Sequence, residues 1–209
     1  MATPFNKTGF PGLILAGGAS RRMGEDKALV KLGEKTLIEH AASRLCPQVS
    51  EVWINRMHAA HMPSDYLVIP DTLEGRQGPL AGILAGLSFM KRRNHTATHL
   101  LSVPIDTPFM PADLATRLAG QLQTASDIVL AQSMGRQHPV IGLWPVSLWE
   151  DLAAWLRGAD TRRVFDYLAR HPHHFVDFEA YGDEQDPFFN INSPADLAWA
   201  QDRVEQQGS

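Results

Sequence analysis

The sequence predicts an α/β fold, a mostly parallel sheet with helices on both faces, and three observations carry that expectation. Short apolar runs alternate with segments of helical periodicity over the first 125 residues, as in a parallel sheet wound from strand–helix units. Four of those runs end on polar features, at Gly17-Gly18, Asn55, Asp71 and Asp106. Ligands of such sheets sit beyond the carboxyl ends of the strands, near the point where strand order reverses, so the four ends point to a single site. The length of 209 residues suits one domain, residues 1–209, with no linker or repeat. A chain of that size buries on the order of 70% of its unfolded surface, enough for an independent core.

Residues 13–16 form the first short apolar run, which breaks at Gly17-Gly18. Thr36 is placed to cap a helix in which Leu37, Ile38, Ala41, Ala42 and Leu45 recur at helical spacing, ending at Cys46-Pro47. Strands are expected at 51–55 and 66–70, the latter stopping at Asp71. After a Gly- and Asp-rich loop, Leu80, Ile83, Leu84 and Leu87 mark a helix closed by Lys91, Arg92 and Arg93, cations that suit its negative end. Gly78, Gly82 and Gly86, spaced four apart, read as a face packed closely against a neighbour. A fourth strand spans 100–105 and ends at Asp106, and a helix covers 113–123. Beyond it, strands at 127–132 and 140–144 precede helices through Leu148, Leu152, Trp155 and Leu156 and through 162–170. A strand at 175–178 and a helix at 194–207 follow, with Ser193 as N-cap and Pro194 in the first position. The expected whole is a three-layer, Rossmann-like sheet.

Composition excludes several classes. Hydrophobic residues at 44% and charged residues at 20% do not describe a disordered chain. A formal charge of -4 argues against nucleic acid as a partner, so an anionic ligand needs a local basic pocket. The single cysteine, Cys46, permits no internal disulfide, suits a reducing compartment, and is expected to be buried as a small apolar residue. No signal core stands out, and the apolar helix at residues 80–90 falls far short of the roughly 20 residues that span a bilayer. The expectation is a cytosolic protein with no membrane partner.

The chemistry concentrates in residues 13–27. Glycines directly after a strand let the backbone turn sharply and approach a ligand. Arg22 and Lys27 follow, and these side chains meet phosphate oxygens as a planar fork and a point charge. The stretch reads as a nucleotide-phosphate loop, although Gly24 is followed by Glu25 rather than Lys, and no G-x-G-x-x-G is present. Asp26 either orients Lys27 or caps a turn. Asp106 is held between Pro104 and Pro108, and its hard carboxylate suits Mg2+, or it is an Asx-turn residue. Asp71 and Asn55 read equally as ligand contacts or as strand-end chemistry. His58, His61, His171, His173 and His174 lack the spacing and companions of a zinc site.

The run Leu15-Ala16-Gly17-Gly18-Ala19-Ser20-Arg21-Arg22-Met23-Gly24-Glu25-Asp26-Lys27 closely resembles the signature of the molybdenum cofactor guanylyltransferases, the MobA family of the nucleotidyltransferase superfamily. Further matches are Asn55, Pro70-Asp71, Gly78-Pro79-Leu80-Ala81-Gly82, Pro104-Ile105-Asp106-Thr107-Pro108, His138-Pro139, Arg162-Arg163 and Asn190-Ile191-Asn192-Ser193-Pro194-Ala195-Asp196. The resemblance implies transfer of GMP from Mg-GTP to the terminal phosphate of molybdopterin or molybdenum-molybdopterin, releasing pyrophosphate. It implies that Leu15, Ala16, Gly17, Gly18 and Lys27 bind GTP together with Asn55 and Asp71, and that Asp106 holds Mg2+. Asn190 and Asn192 are implied on the molybdopterin side, with Asn192 a metal partner, in a chain whose N-terminal half binds nucleotide and C-terminal half pterin. Gly135 to His138 and Arg162-Arg163 are the candidates for the pterin pocket. Other cofactor-biosynthesis proteins and apo-molybdoenzymes are the implied protein partners. Ile105 departs from the family, many members of which carry Cys there. The double glycine favours GTP, since cytidylyl relatives tend to read Leu-Ala-Ala-Gly. Competing readings are a cytidylyl- or sugar-phosphate nucleotidyltransferase and a catalytically silent nucleotide or pterin carrier.

Overall fold

The computed structural model describes residues 7–17, 26–58, 62, 64–73, 78–158, 160–180 and 185–207. Strand β1 (Gly12–Leu15) is followed by a short 3-10 turn (Lys27–Leu29), a small hairpin of β2 (Lys31–Leu32) and β3 (Lys35–Thr36), and helix α1 (Leu37–Leu45). Then come β4 (Val52–Asn55), β5 (Leu67–Ile69), α2 (Pro79–Arg92), β6 (His99–Pro104) and α3 (Leu114–Ala119). The remainder is β7 (Ile128–Ser133), β8 (Arg136–Pro145), a 3-10 turn (Val146–Leu148), α4 (Trp149–Gly158), α5 (Val164–Leu168), β9 (His173–Phe178) and α6 (Pro194–Gln207).

Seven strands form one sheet in the order β5-β4-β1-β6-β8-β7-β9. Strands β5, β4, β1 and β6 pair in parallel, β8 runs antiparallel to both its neighbours, and β9 is parallel to β7. Six strands therefore share one direction, and the expected mostly parallel α/β sheet is the one observed. The chain moves outward from β1 to β4 and β5, then crosses back to place β6 on the other side of β1. The order reverses between β1 and β6, which is where a ligand crevice opens in such sheets.

Two apolar clusters, one per face, explain why the strands read as unbroken apolar runs. Ile14, Val52, Ile54, Leu101, Val103 and Val129 pack on one side with Leu37, Ile38 and Leu45 of α1, Leu114 and Leu118 of α3 and Ala200 of α6. Their strand neighbours Leu13, Leu15, Trp53, Leu100 and Leu130 face the other way, against α2, Leu152 and Leu156 of α4, and Tyr167 and Leu168 of α5. No helix among the described residues is long and apolar enough to cross a membrane.

Local signals set several ends as expected. Thr36 and Glu39 form a reciprocal capping box at the start of α1. At the start of α6, Asp196 accepts from the backbone N–H groups of Asn192 and Ser193 at 2.9 and 2.8 Å, while Ser193 Oγ accepts from Asp196 N at 3.2 Å.

Elsewhere the structure corrects the sequence reading. The helix expected over 113–123 stops at Ala119, because the Asp127 carboxylate takes the N–H groups of Gln123 and Thr124 at 2.6 and 2.8 Å and offers the chain a turn instead. The one expected over 162–170 spans only Val164–Leu168, with Arg163 as its N-cap. Strand β8 starts earlier than expected because Met134 and Gly135, at φ 49° and 74°, make the two-residue turn that joins it to β7. The β2–β3 hairpin had no clear sequence signal. Cys46, expected inside, is exposed at the end of α1.

Candidate active site

The site starts from strand register. Leu15 at the end of β1 lies level with Asn55 of β4 on one side and Pro104 of β6 on the other. Ala16 N donates to Asn55 O at 3.0 Å, and Ile105 N donates to Leu15 O at 3.2 Å. Leu15, Ala16, Asn55 and the approach to Asp106 are thus joined by backbone pairing at the reversal of strand order, with Gly17 next in the chain.

Two side-chain groups stand on this floor. In the first, Asn55 is 3% exposed, and its Nδ2 donates to Ile69 O at 3.1 Å and to Asp71 Oδ1 at 2.9 Å. Both amide protons are used, so the orientation of the side chain is set and Oδ1 is turned toward Gly17 and Gly82. A Cβ on Gly82 would fall 2.3 Å from that Oδ1 and 2.7 Å from Leu15 Cδ2. The close packing read from the glycine spacing holds at Gly82 and Gly86, and at Gly82 the packed neighbour is a residue of the site. Gly78 does something else, serving at φ 71° as the N-cap of α2.

In the second group, Lys27 Nζ donates to Asp106 Oδ2 at 2.7 Å and to Asn192 Oδ1 at 2.9 Å. Lys27 and Asp106 side chains are only 19% and 18% exposed, so the ion pair is largely withdrawn from solvent screening. Lys27 is aimed by the residue before it. Asp26 accepts from Ala28 N at 3.2 Å, capping the 3-10 turn, and forms an ion pair with Arg56. Ile191 N donates to Asp106 O at 3.0 Å, which brings the loop of Asn190 and Asn192 to the same edge. The Asp196 carboxyl is held below its ordinary value, chiefly by the hydrogen bond from Asn192 N, with the Lys27 charge a smaller contribution.

The donor set fits a hard divalent cation. Asp106 Oδ1 and Asn190 Oδ1 are buried oxygens with no hydrogen-bond partner among the described residues, a costly state unless something positive meets them. Among the described residues no group of three or more His, Cys, Asp and Glu is gathered. Mg2+ is commonly held this way, by one or two carboxylates plus substrate phosphates, keeping several waters.

Leu15, Ala16, Gly17, Lys27, Asn55, Asp71, Asp106 and Asn192 are therefore linked at one edge of the sheet, and Asn190 flanks them. Gly18 and Arg22 lie outside the described residues. The Arg162 carbonyl lies 3.9 Å from the Cβ position of Gly78, at the start of α2. His138, a candidate for the pterin pocket, is 5% exposed and bonded to Ser133, so its side chain is enclosed rather than open to a ligand. Sequence reasoning missed Arg56, whose partner Asp26 lies 30 residues away with nothing in either segment to connect them.

The comparisons with known proteins agree with this fold. Residues 12–174 match the family model described as the MobA-like NTP transferase domain. A protein of Rhizobium johnstonii named molybdenum cofactor guanylyltransferase is 44% identical over 203 residues, 96% of this chain and 95% of that one. Among solved structures, molybdopterin-guanine dinucleotide biosynthesis protein A from Archaeoglobus fulgidus superposes with a TM-score of 0.75 at 24% identity, covering 94% of this chain and 100% of that one. A Mycobacterium tuberculosis protein solved in complex with manganese gives a TM-score of 0.67 at 15% identity, over 94% of this chain and 100% of that one. A seven-stranded sheet with its polar cluster at the reversal of strand order, a family match over most of the chain and close relatives of one name converge: the chain belongs to the MobA-like NTP transferase family and is a nucleotidyltransferase.

Proposed function

We propose that this chain transfers GMP from Mg-GTP to the terminal phosphate of molybdopterin, with or without molybdenum, and releases pyrophosphate. The observation that carries the reading is the Lys27–Asp106–Asn192 cluster, in which one ammonium bridges a metal-competent carboxylate and the loop assigned to the acceptor side. The names of the relatives supply the substrate pair, and the manganese held by the fold neighbour supports a divalent metal.

Both substrates are anionic and repel each other until their charge is neutralised. When bound, Mg2+ supplies charge neutralisation to the triphosphate and the departing pyrophosphate. Asp106 would hold it through Oδ1, with Asn190 and Asn192 as neutral oxygen donors nearby. Leu15, Ala16 and Gly17 present backbone to the nucleotide, and Gly17 and Gly82 let the backbone pack closely around Asn55 Oδ1. Asn55 and Asp71 bring fixed polar groups to the same pocket. Lys27 faces the phosphates as a point charge, and Arg22 is assigned to them as well.

The acceptor phosphate oxygen attacks the α-phosphorus, an O–P bond forms, and the bond to the β-phosphate oxygen breaks with its electron pair leaving on pyrophosphate. The acceptor is already ionised, so no general base and no covalent nucleophile are required. The protein's work is positioning and charge stabilisation. The test is pyrophosphate release by the purified chain given Mg2+, molybdopterin and either GTP or CTP. Release with GTP alone is expected. Release with CTP makes the chain a cytidylyl enzyme, and tight GTP binding without release makes it a carrier.

A further inference from the structure

Beneath the acceptor-side loop lies a buried polar group that no step above uses. Ser133, at the carboxyl end of β7, is fully buried. Its Oγ donates to Asp186 Oδ1 at 2.7 Å and lies 2.7 Å from His138 Nε2. An ionised carboxylate only accepts, so the single hydroxyl proton belongs to the Asp186 bond, and Ser133 Oγ accepts from an Nε2–H of His138. Burial holds the His138 imidazole below its ordinary value, opposed by the Asp186 charge and aided by Arg136, which agrees with a neutral ring. The same Asp186 Oδ1 also accepts from Phe188 N at 2.8 Å, and Asp186 O accepts from Phe189 N at 3.1 Å.

The register of the sheet aims this group. Ala131 pairs with His138, but Leu130 pairs with Gly142, a shift that leaves Pro139 inside an irregular stretch of β8. Such irregularities redirect side chains and suit a residue that has no N–H to donate. Phe188 then packs between His138 and Phe178, at ring distances of 4.8 and 5.2 Å. From Phe188 the chain runs directly through Asn190, Ile191 and Asn192, where Ile191 N reaches Asp106 O and Asn192 reaches Lys27.

We propose that Ser133, His138 and Asp186 form a clasp that sets the position of residues 186–192 against the sheet, making them positioning residues for Asn190 and Asn192. Apolar residues would fill the same space without the desolvation that a serine, a histidine and a carboxylate incur. What the polar group adds is a single orientation. One oxygen of Asp186 joins the end of β7 to the first turn of the loop, and the loop in turn sets the distance between Asn192 and Lys27. The inference rests on the function proposed above for the identity of the acceptor.

The experiment compares Asp186→Ala, Ser133→Ala and Asp186→Asn with the unmodified chain. Asparagine keeps an Oδ1 that accepts from both Ser133 and Phe188, whereas alanine removes both bonds. The alanine variants should raise KM for molybdopterin about 10–100-fold, the scale seen when a residue supporting a ligating side chain is lost. The dissociation constant for GTP measured without Mg2+ should hold within about 2-fold of the unmodified chain, and Asp186→Asn should restore the acceptor KM. Amide hydrogen exchange should accelerate at Phe188 and Ile191 in Asp186→Ala while Ile14 and Ile54 in the core keep their protection. An unchanged acceptor KM in both alanine variants, with any loss confined to melting temperature and active fraction, overturns the clasp. So does Asp186→Asn behaving like Asp186→Ala. If the unmodified chain transfers nothing to molybdopterin, it is the function that fails. Exchange at Ile191 then still decides the clasp, because an unaltered rate in Asp186→Ala removes it.

Discussion

Leu15, Asn55 and Pro104 reach the site by strand register, whereas Asn190 and Asn192 reach it on a loop held by side chains and one backbone bond to Asp106. The two sides of the sheet differ for a physical reason. On the parallel side, β5, β4, β1 and β6 end together, and pairing alone aligns the residues at their carboxyl ends. On the other side β8 runs backward between β6 and β7, and the strand ends there carry Ser133 and His138, which are enclosed. The residues proposed for the acceptor side, Asn190 and Asn192, come from beyond β9. Damage on the parallel side should therefore strike nucleotide and metal chemistry, while damage on the other should strike placement of the acceptor.

The largest expected effect lies at the junction of the two sides. Asp106→Asn should abolish Mg2+-dependent transfer, measured as pyrophosphate release, and a rate near that of the unmodified chain would remove Asp106 from the metal. Lys27→Ala should lower turnover about 10²–10³-fold, the scale for losing one charge-stabilising donor. Near-normal turnover would detach the 3-10 turn from the chemistry. Next comes the parallel side alone. Gly82→Ala puts a Cβ 2.3 Å from Asn55 Oδ1, and such overpacking costs about 1–3 kcal/mol. Calorimetry should show both a lower melting temperature and weaker GTP binding. If binding is untouched, Asn55 has room to move and its fixed orientation is not needed.

Smaller effects serve as controls. Thr36→Ala breaks the capping box of α1 at some distance along the chain from the site, and should cost about 1 kcal/mol, lowering the melting temperature by about 2–4 °C with both KM values unchanged. A changed KM would show that α1 transmits strain to the nucleotide side. The gentlest probe is pH. Burial holds His99, on the parallel side, and His138, on the other, below the ordinary imidazole value of 6.5. As pH falls below that value the unfolded chain takes up protons that the folded chain refuses, so stability present above it is lost on acidification. Thermal melts between about pH 7.5 and about pH 5 should show this decline, and His99→Gln should flatten part of it. A pH-independent melt would mean that neither ring is withdrawn from solvent.

Much of the parallel side could be read directly. Apolar runs such as Leu13, Ile14 and Leu15 are continuous because alternate residues serve two different cores, and polar residues at their ends stood out against them. The other side was less legible. His138 was a candidate for the pterin pocket because His138-Pro139 matches the family, while its packing against Ser133 and Phe188 is a contact that no local signal announces. Asp186 sits in a polar stretch where a carboxylate draws no notice. Cys46 was expected inside from the usual burial preference of its type, but its place as the C-cap of α1 puts it outside.

By itself the sequence determined the α/β class and the caps at Thr36 and Ser193, because periodicity and capping act between residues a few positions apart. It was the tertiary structure that decided the strand order, the contact of Gly82 with Asn55, the Asp26–Arg56 ion pair, and the meeting of Lys27 with Asp106 and Asn192 across 79 and 165 residues of chain. The Lys27–Asp106 pair exists only once the crossover from β5 to β6 has set β6 beside β1. Before that crossover, each partner is an ordinary polar residue at the end of an element.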